Sequence, residues 1–185
     1  MAAAVLVHMI NRIVFGGGKQ SLEEIIIEAK DTVAQLFSGD KHLKELTDII
    51  DLSVELSEND ASDLDNIHRI GEGWVAEETL GIAIYCALRH QNSFSDGVIA
   101  AVNHNGDSDS TGAVTGNILG ALLGNEAIEE KWKTNLELLD VITEIADDTC
   151  HGCQMREYSP YTDRDWERKY IYMHWREEDD DQRLH

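Results

Sequence analysis

Basic residues are scarce in this sequence. The 185-residue chain carries 15 lysines and arginines against 36 aspartates and glutamates, which gives a formal net charge of −21 at pH 7. Proteins bind nucleic acids and anionic membranes through clustered lysine and arginine, so we expect neither as a partner. The sequence also lacks a run of about 18 uncharged apolar residues, so no membrane-spanning helix is predicted.

Cysteine and proline are sparse as well. Three cysteines in a chain of this length do not form a disulfide framework, and we therefore expect a reducing compartment, the cytoplasm. The single proline, Pro160, leaves long helices uninterrupted. Residues 1–15 are apolar, but they lack a basic leader and a small-residue cleavage site, which favours a core helix over a signal peptide.

What the sequence does have is helical periodicity. Apolar residues make up 42% of the chain, and along most of it they recur every three or four positions. This pattern predicts an all-α protein with one compact domain over residues 1–148, followed by an acidic and aromatic tail over residues 149–185. Residues 74–89 are predicted to form one helix that is apolar nearly all round from Gly81 to Leu88, which predicts that it is buried on most faces at the centre of the domain.

Capping residues indicate where several helices begin. Ser21 is followed three positions later by Glu24, the spacing of a capping box in which two side chains satisfy two free backbone donors. Asp40 and Ser95 also precede apolar periodic segments, so we predict that each is an N-cap.

The most informative segment is residues 103–112, which read Asn-His-Asn-Gly-Asp-Ser-Asp-Ser-Thr-Gly. Asp107 and Asp109 can turn their carboxylates towards one point, and Ser110 adds a neutral oxygen. Such hard oxygen ligands suit Mg²⁺, Mn²⁺ or Ca²⁺. A helix is predicted to begin at Thr111, and its free backbone N–H groups can hold an anion or a ligating carboxylate.

Other interpretations compete for the same segment. A loop with redundant N-caps has a similar pattern, because serine and aspartate both cap helices. An EF-hand loop starting at Asp107 is excluded, because its twelfth position needs a bidentate glutamate and is Ile118. A haloacid-dehalogenase-type loop fits Asp107, Asp109 and Thr111, but that fold needs parallel strands and a later lysine. The redundant-cap interpretation therefore stays open beside the metal site.

The helix after this segment has glycines at every fourth position, which places them along one face. They are Gly112, Gly116, Gly120 and Gly124. A glycine inside a helix costs roughly 0.5–1 kcal/mol relative to alanine. We therefore expect another helix or a ligand to approach this face closely.

Four blocks of the sequence together resemble a known family. They are Gly71–Glu78, Ile84–Arg89, Ala100–Asn103 and Gly106–Gly116. In this order they are similar to the C-terminal half of the ADP-ribosylglycohydrolases, and the resemblance extends over residues 1–148. It implies an all-α fold with a binuclear Mg²⁺ or Mn²⁺ centre. It also implies hydrolysis of the bond between the anomeric carbon of ADP-ribose and an acceptor side chain.

The resemblance assigns expected roles to eight residues. Three stand where metal ligands stand in the family, three lie near the substrate pocket, and two lie behind the ligands and orient them. In that order they are Asp107, Asp109 and Ser110; Gly71, Gly73 and Trp74; and His104 and Thr111. The expected ligand is ADP-ribose or an ADP-ribosylated protein.

The chain also departs from the family pattern. The family's remaining metal ligands come from a Thr-Asp-Asp segment near its N-terminus, where a glutamate implicated in catalysis also lies, and neither occurs here. Two aspartates and a serine cannot fill two octahedral ions. The resemblance therefore implies a hydrolase that needs a complementing N-terminal half or self-association, and the alternative is a catalytically incomplete relic or a regulatory, protein-binding module.

Overall fold

A computed structural model describes residues 1–151 and Glu167. Within these residues the regular secondary structure is helical and contains no strand, which confirms the all-α prediction. The helices are α1 (Ala2–Phe15), α2 (Leu22–Leu36), α3 (Leu43–Ser57), α4 (Asp63–Ile70), α5 (Ala76–Arg89), α6 (Phe94–Val102), α7 (Ser108–Leu123), α8 (Glu130–Lys133) and α9 (Leu139–His151), with a 3₁₀ turn at Asn125–Ala127.

The predicted capping box at the start of α2 is confirmed. The Ser21 hydroxyl accepts the backbone N–H of Glu24 at 3.2 Å, and the Glu24 carboxylate accepts the backbone N–H of Ser21 at 2.8 Å. Both bonds satisfy donors that have no partner inside the helix.

The other two predicted N-caps are wrong. Asp40 lies before the first turn of α3, and its carboxylate accepts the backbone N–H of His42 in a local turn instead. The N-cap of α6 is Ser93, whose hydroxyl accepts the backbone N–H of Asp96. The Ser-x-x-Asp spacing that begins at Ser93 matches a capping pattern, and Ser95 is buried within the first turn of the helix.

Helix α5 is the central element of the fold, as predicted. It contacts α1, α2, α3, α4, α6 and α7, and every residue from Leu80 to Ala87 is buried. Gly81 allows α3 to approach α5 closely, because a Cβ at this position would lie 2.4 Å from Cγ2 of Ile49 in α3. A helix that is apolar on all sides is stable only when it is enclosed in this way.

The glycine face of α7 is in close contact with a neighbour only at its N-terminal end. A Cβ on Gly112 would lie 2.5 Å from Cγ1 of Val102 in α6, whereas one on Gly120 would meet nothing within 4 Å. Gly124 follows the helix as its C-cap. The expected close approach of another helix to this face is therefore found at Gly112, where α6 packs against α7.

The chain divides into two compact units, Met1–Glu130 and Lys131–His185. The described part of the second unit comprises 131–151, which includes α9, and Glu167. The predicted boundary at residue 148 stays a prediction, and most of the predicted tail lies outside the described residues. Among the helices that the structure describes, none is long and apolar enough to cross a membrane.

Candidate functional site

The candidate ligands lie at the N-terminal end of α7. The helix begins at Ser108, earlier than predicted, so Asp109 and Ser110 belong to its first turn. Asp107 is the N-cap residue of this helix. Because the backbone and side chain of Ser110 both interact with this carboxylate, the redundant-cap interpretation stays open beside the metal site.

The Asp107 and Asp109 carboxyl groups lie side by side. A hydrogen bond with Asp109 lowers the pKa of the Asp107 carboxyl from its ordinary value, and hydrogen bonds from the Ser110 side chain and backbone lower it further. Neither aspartate forms a salt bridge within the described part of the chain. Two adjacent carboxylates in an anionic protein repel each other when both are ionised, and a bound cation would relieve that repulsion.

His104 and Thr111 form the back wall of this loop. The Nε2 atom of His104 lies 2.9 Å from Oγ1 of Thr111, and its Nδ1 atom accepts the backbone N–H of Gly106 at 3.1 Å. The Thr111 hydroxyl is fully buried and donates to the Ala101 carbonyl at 2.7 Å. These distances fit the tautomer in which Nε2 donates to the Thr111 oxygen and Nδ1 accepts from Gly106.

A turn at residues 71–74 packs against the same loop. The Glu72 carbonyl accepts the backbone N–H of Asp107 at 2.8 Å. A Cβ on Gly73 would lie 2.9 Å from the Thr111 methyl group. The fold therefore brings the predicted substrate-binding turn next to the ligand loop, which is the segment from Asp107 to Ser110 that carries the predicted metal ligands. The two segments lie far apart in the sequence.

Trp74 and Gly71 have different settings within this turn. The Trp74 side chain is 65% exposed, and its indole N–H donates to the Glu72 carboxylate at 3.0 Å. Its ring is thus free to contact a ligand. Gly71 lies under the Glu78 side chain, because a Cβ there would be 2.5 Å from Cδ of Glu78. Gly71 therefore packs closely against the first turn of α5, and its predicted contact with substrate stays a prediction.

An apolar groove of about 430 Å³ opens beside the loop. Ser110 and Thr79 supply the polar groups of its lining, and small or aliphatic side chains of α1, α5 and α7 supply the rest. A group bound in this groove would lie next to one of the predicted metal ligands.

The donor chemistry of the loop fits Mg²⁺ or Mn²⁺, but the number of donors falls short. Asp107, Asp109 and Ser110 present hard oxygens, which these ions prefer. No group of three or more histidine, cysteine, aspartate or glutamate side chains that could hold a metal ion occurs among residues 1–151 and Glu167. A metal ion held by these three residues would need further oxygen ligands to complete its coordination.

Two residues of the site were not singled out by the sequence analysis. The Glu72 carbonyl binds the ligand loop, and the Glu78 carboxylate accepts the backbone N–H groups of Glu72 and Gly73. Glu78 is the third residue of α5, where an acidic side chain commonly reaches back to free N–H groups. The position of Glu78 in the first turn of a predicted helix was therefore the feature of the sequence that could have identified it.

Comparison with known proteins identifies the family. Residues 1–159 match the model of the ADP-ribosylglycohydrolase family. The chain therefore belongs to this family, and the resemblance seen in the sequence is confirmed. ADP-ribosylhydrolase ARH3 of Mus musculus is 28% identical to it over 122 residues.

The mouse protein is much longer than the part that aligns. The alignment covers 60% of this chain and 31% of the mouse protein, so the chain corresponds to about a third of that relative. No solved structure matched the chain.

Proposed function

We propose that this chain forms one side of a metal-dependent hydrolase centre that removes ADP-ribose from a modified side chain. The bond cleaved is the N- or O-glycosidic bond at the anomeric carbon: a water oxygen becomes bonded to that carbon, and the acceptor nitrogen or oxygen leaves with a proton. Family membership supports the reaction class. The paired carboxylates of Asp107 and Asp109 at the start of α7 carry the assignment of the site.

Each candidate residue has a role in this proposal. Asp107, Asp109 and Ser110 would hold Mg²⁺ or Mn²⁺, which supplies positive charge for the anionic substrate in a chain of net charge −21. His104 and Thr111 hold the loop from behind through the hydrogen bonds described above.

The turn would form the substrate-binding wall. Trp74 offers an exposed ring on which a flat or sugar group can stack, while Gly71 and Gly73 keep the backbone of the turn close to the loop. The remaining metal ligands and a catalytic acid or base would come from protein outside residues 1–151. We further propose a cytoplasmic location, because the chain has few cysteines.

Hydrolysis of ADP-ribosyl-arginine and ADP-ribosyl-serine peptides with added Mn²⁺ or Mg²⁺ tests the activity. The full chain is assayed alone and with a separately produced N-terminal portion of a family member. We expect release of ADP-ribose that is lost on chelation of the metal and in Asp109→Ala. Asp31→Asn, an exposed acid on α2, is the control for a lost surface charge. Equal release by wild type and Asp109→Ala would overturn the proposal.

Isothermal titration with Mn²⁺ tests the site independently of turnover. Asp107→Asn and Asp109→Asn should each abolish the binding heat of the wild-type chain, whereas Asp31→Asn should leave it unchanged. Identical titrations for all four proteins would show that the pair does not bind the metal.

An apolar surface on α1 favours a second candidate function, a protein-binding module without catalysis. Val7, Val14 and Phe15 are exposed on this helix, with Val7 at 68% and Phe15 at 76% of their full accessibility. Exposed apolar patches commonly mark interfaces. Light scattering coupled to size-exclusion chromatography separates the two functions: self-association together with an absence of Mn²⁺ and ADP-ribose binding would favour the module, and a monomer that binds both would favour the hydrolase.

A further inference from the structure

The carboxylate of Glu78 closes the turn at residues 71–74. Its Oε2 atom accepts the backbone N–H of Gly73 at 3.0 Å and that of Glu72 at 3.2 Å. The N-cap of α5 is Val75, which has no side chain that can accept a hydrogen bond. Glu78 therefore binds donors of the preceding turn, and its position in the first helical turn favours its negative charge.

Helix α5 holds Gly73 from both sides. The Thr79 hydroxyl donates to the Gly73 carbonyl at 2.7 Å, while Glu78 accepts the N–H of the same residue. Gly73 has a φ of 81°, a conformation that favours glycine. The shape of the turn is thus set by two adjacent side chains of α5.

The turn at residues 71–74 also holds Asp107, the first of the predicted metal ligands. The Glu72 carbonyl accepts the Asp107 N–H at 2.8 Å, and a Cβ on Gly106 would lie only 1.8 Å from that same carbonyl oxygen. The Asp107 carbonyl accepts the backbone N–H of Thr111 at 3.2 Å, so the bond to Glu72 fixes the N–H side of Asp107, which faces the turn. A displacement of Glu72 would therefore displace Asp107.

We infer that Glu78 is a positioning residue for the Asp107–Ser110 loop, acting through the backbone of Glu72 and Gly73. The carboxylate fixes the two N–H groups, the fixed turn presents the Glu72 carbonyl, and that carbonyl orients Asp107. The metal-binding consequence rests on the proposed function, whereas the positioning of Asp107 rests on the hydrogen bonds alone.

Backbone amide resonances and Mn²⁺ affinity of the full chain test this inference. Glu78→Ala should shift the Asp107 amide resonance of the metal-free protein and weaken Mn²⁺ binding about 10–100-fold, the usual cost of removing a group behind a ligand. Glu78→Gln keeps an acceptor oxygen and should restore both properties. Glu77→Ala removes the same charge from the same helical turn and should leave both unchanged. Should Glu78→Ala fail to fold, the shorter Glu78→Asp takes its place.

Each outcome decides the inference. An Asp107 resonance and a Mn²⁺ affinity that stay at wild-type values in Glu78→Ala would overturn it. An equal loss of affinity in Glu77→Ala would also overturn it, because the effect would then come from net charge. A wild-type chain that binds no Mn²⁺ would defeat the proposed function, and the amide resonance alone would then decide the positioning role: a shift supports it and no shift overturns it.

Discussion

The hydroxyl of Tyr85 donates a 2.6 Å hydrogen bond to the carboxylate of Asp63, which joins the middle of α5 to the start of α4. Tyr85 is fully buried, and its oxygen also accepts the side-chain amide of Asn66. Burial and the neighbouring Asp63 raise the pKa of Tyr85 well above its ordinary value. The phenol therefore stays protonated and acts as a permanent donor inside the domain.

Replacing this donor should destabilise the fold. We expect Tyr85→Phe to lower the free energy of unfolding by about 1–3 kcal/mol, because the Asp63 carboxylate loses a charge-assisted hydrogen bond and Asn66 loses one of the acceptors of its side-chain amide. Urea unfolding monitored by circular dichroism measures the change. A double-mutant cycle with Asp63→Asn should show that the two effects are coupled. Additive effects would mean that the two side chains contribute independently.

Two glycines should respond to alanine in opposite ways. Gly106→Ala should destabilise the protein by roughly 2 kcal/mol or more, because its methyl group would overlap the Glu72 carbonyl. Gly120→Ala should stabilise it by about 0.5–1 kcal/mol, because this position is helical and a Cβ there meets nothing within 4 Å. Thermal unfolding of both variants provides the measurement. A stable Gly106→Ala would contradict the tight contact between the turn and the loop.

Acid should weaken the contact between α1 and α2 through Glu28. Hydrogen bonding to Gln20 lowers the pKa of Glu28 from its ordinary value of 4.5, with smaller contributions from His8 and Arg12. A carboxyl whose pKa is lower in the folded state stabilises the protein above its unfolded pKa, and this contribution is lost as the pH falls through the folded value.

The test is the pH dependence of unfolding for wild type and Glu28→Gln. The stability difference between them should be largest above pH 4.5 and should shrink as the solution becomes more acidic. Glu23→Gln, an exposed acid on the same helix, is the control. A difference that is constant across this range would show that ionised Glu28 is not responsible.

The cysteines should differ in reactivity. Burial raises the pKa of the Cys86 thiol, whereas Cys150 is exposed on α9. Since the thiolate is the reactive form, iodoacetamide should label Cys150 in the native protein and reach Cys86 only after denaturation. Peptide mapping by mass spectrometry distinguishes the sites. Rapid labelling of native Cys86 would contradict the enclosed position of α5.

Local sequence patterns predicted the elements of this fold better than the contacts between them. The bounds of α1 and the Ser21–Glu24 capping box depend on neighbours within one helical turn, so the pattern alone contains them. The predictions of Asp40 and Ser95 as N-caps were wrong, because more than one residue near each helix start can cap it. Which residue becomes the N-cap depends on where the packed helix begins.

In the candidate site, too, local patterns were predictable from the sequence and contacts between distant segments were not. Asp107 and Asp109 stand out because two acids alternate with hydroxyl residues before a helix. The link from Glu78 to Asp107 does not stand out, because it passes through backbone groups that become neighbours only after α5 and α7 pack together. Periodicity carries no information about such long-range backbone contacts.

The enclosed helix α5 begins directly after the turn at residues 71–74, which packs against the predicted metal ligands. Because Gly81 leaves no room for a side chain, a mutation in the middle of this helix would be accommodated by moving the helix as a whole. Its N-terminal turn, with Glu78 and Thr79, would move with it. On the proposed function, a substitution made at Gly81 to raise thermal stability would therefore also change the position of the turn beside the predicted metal ligands.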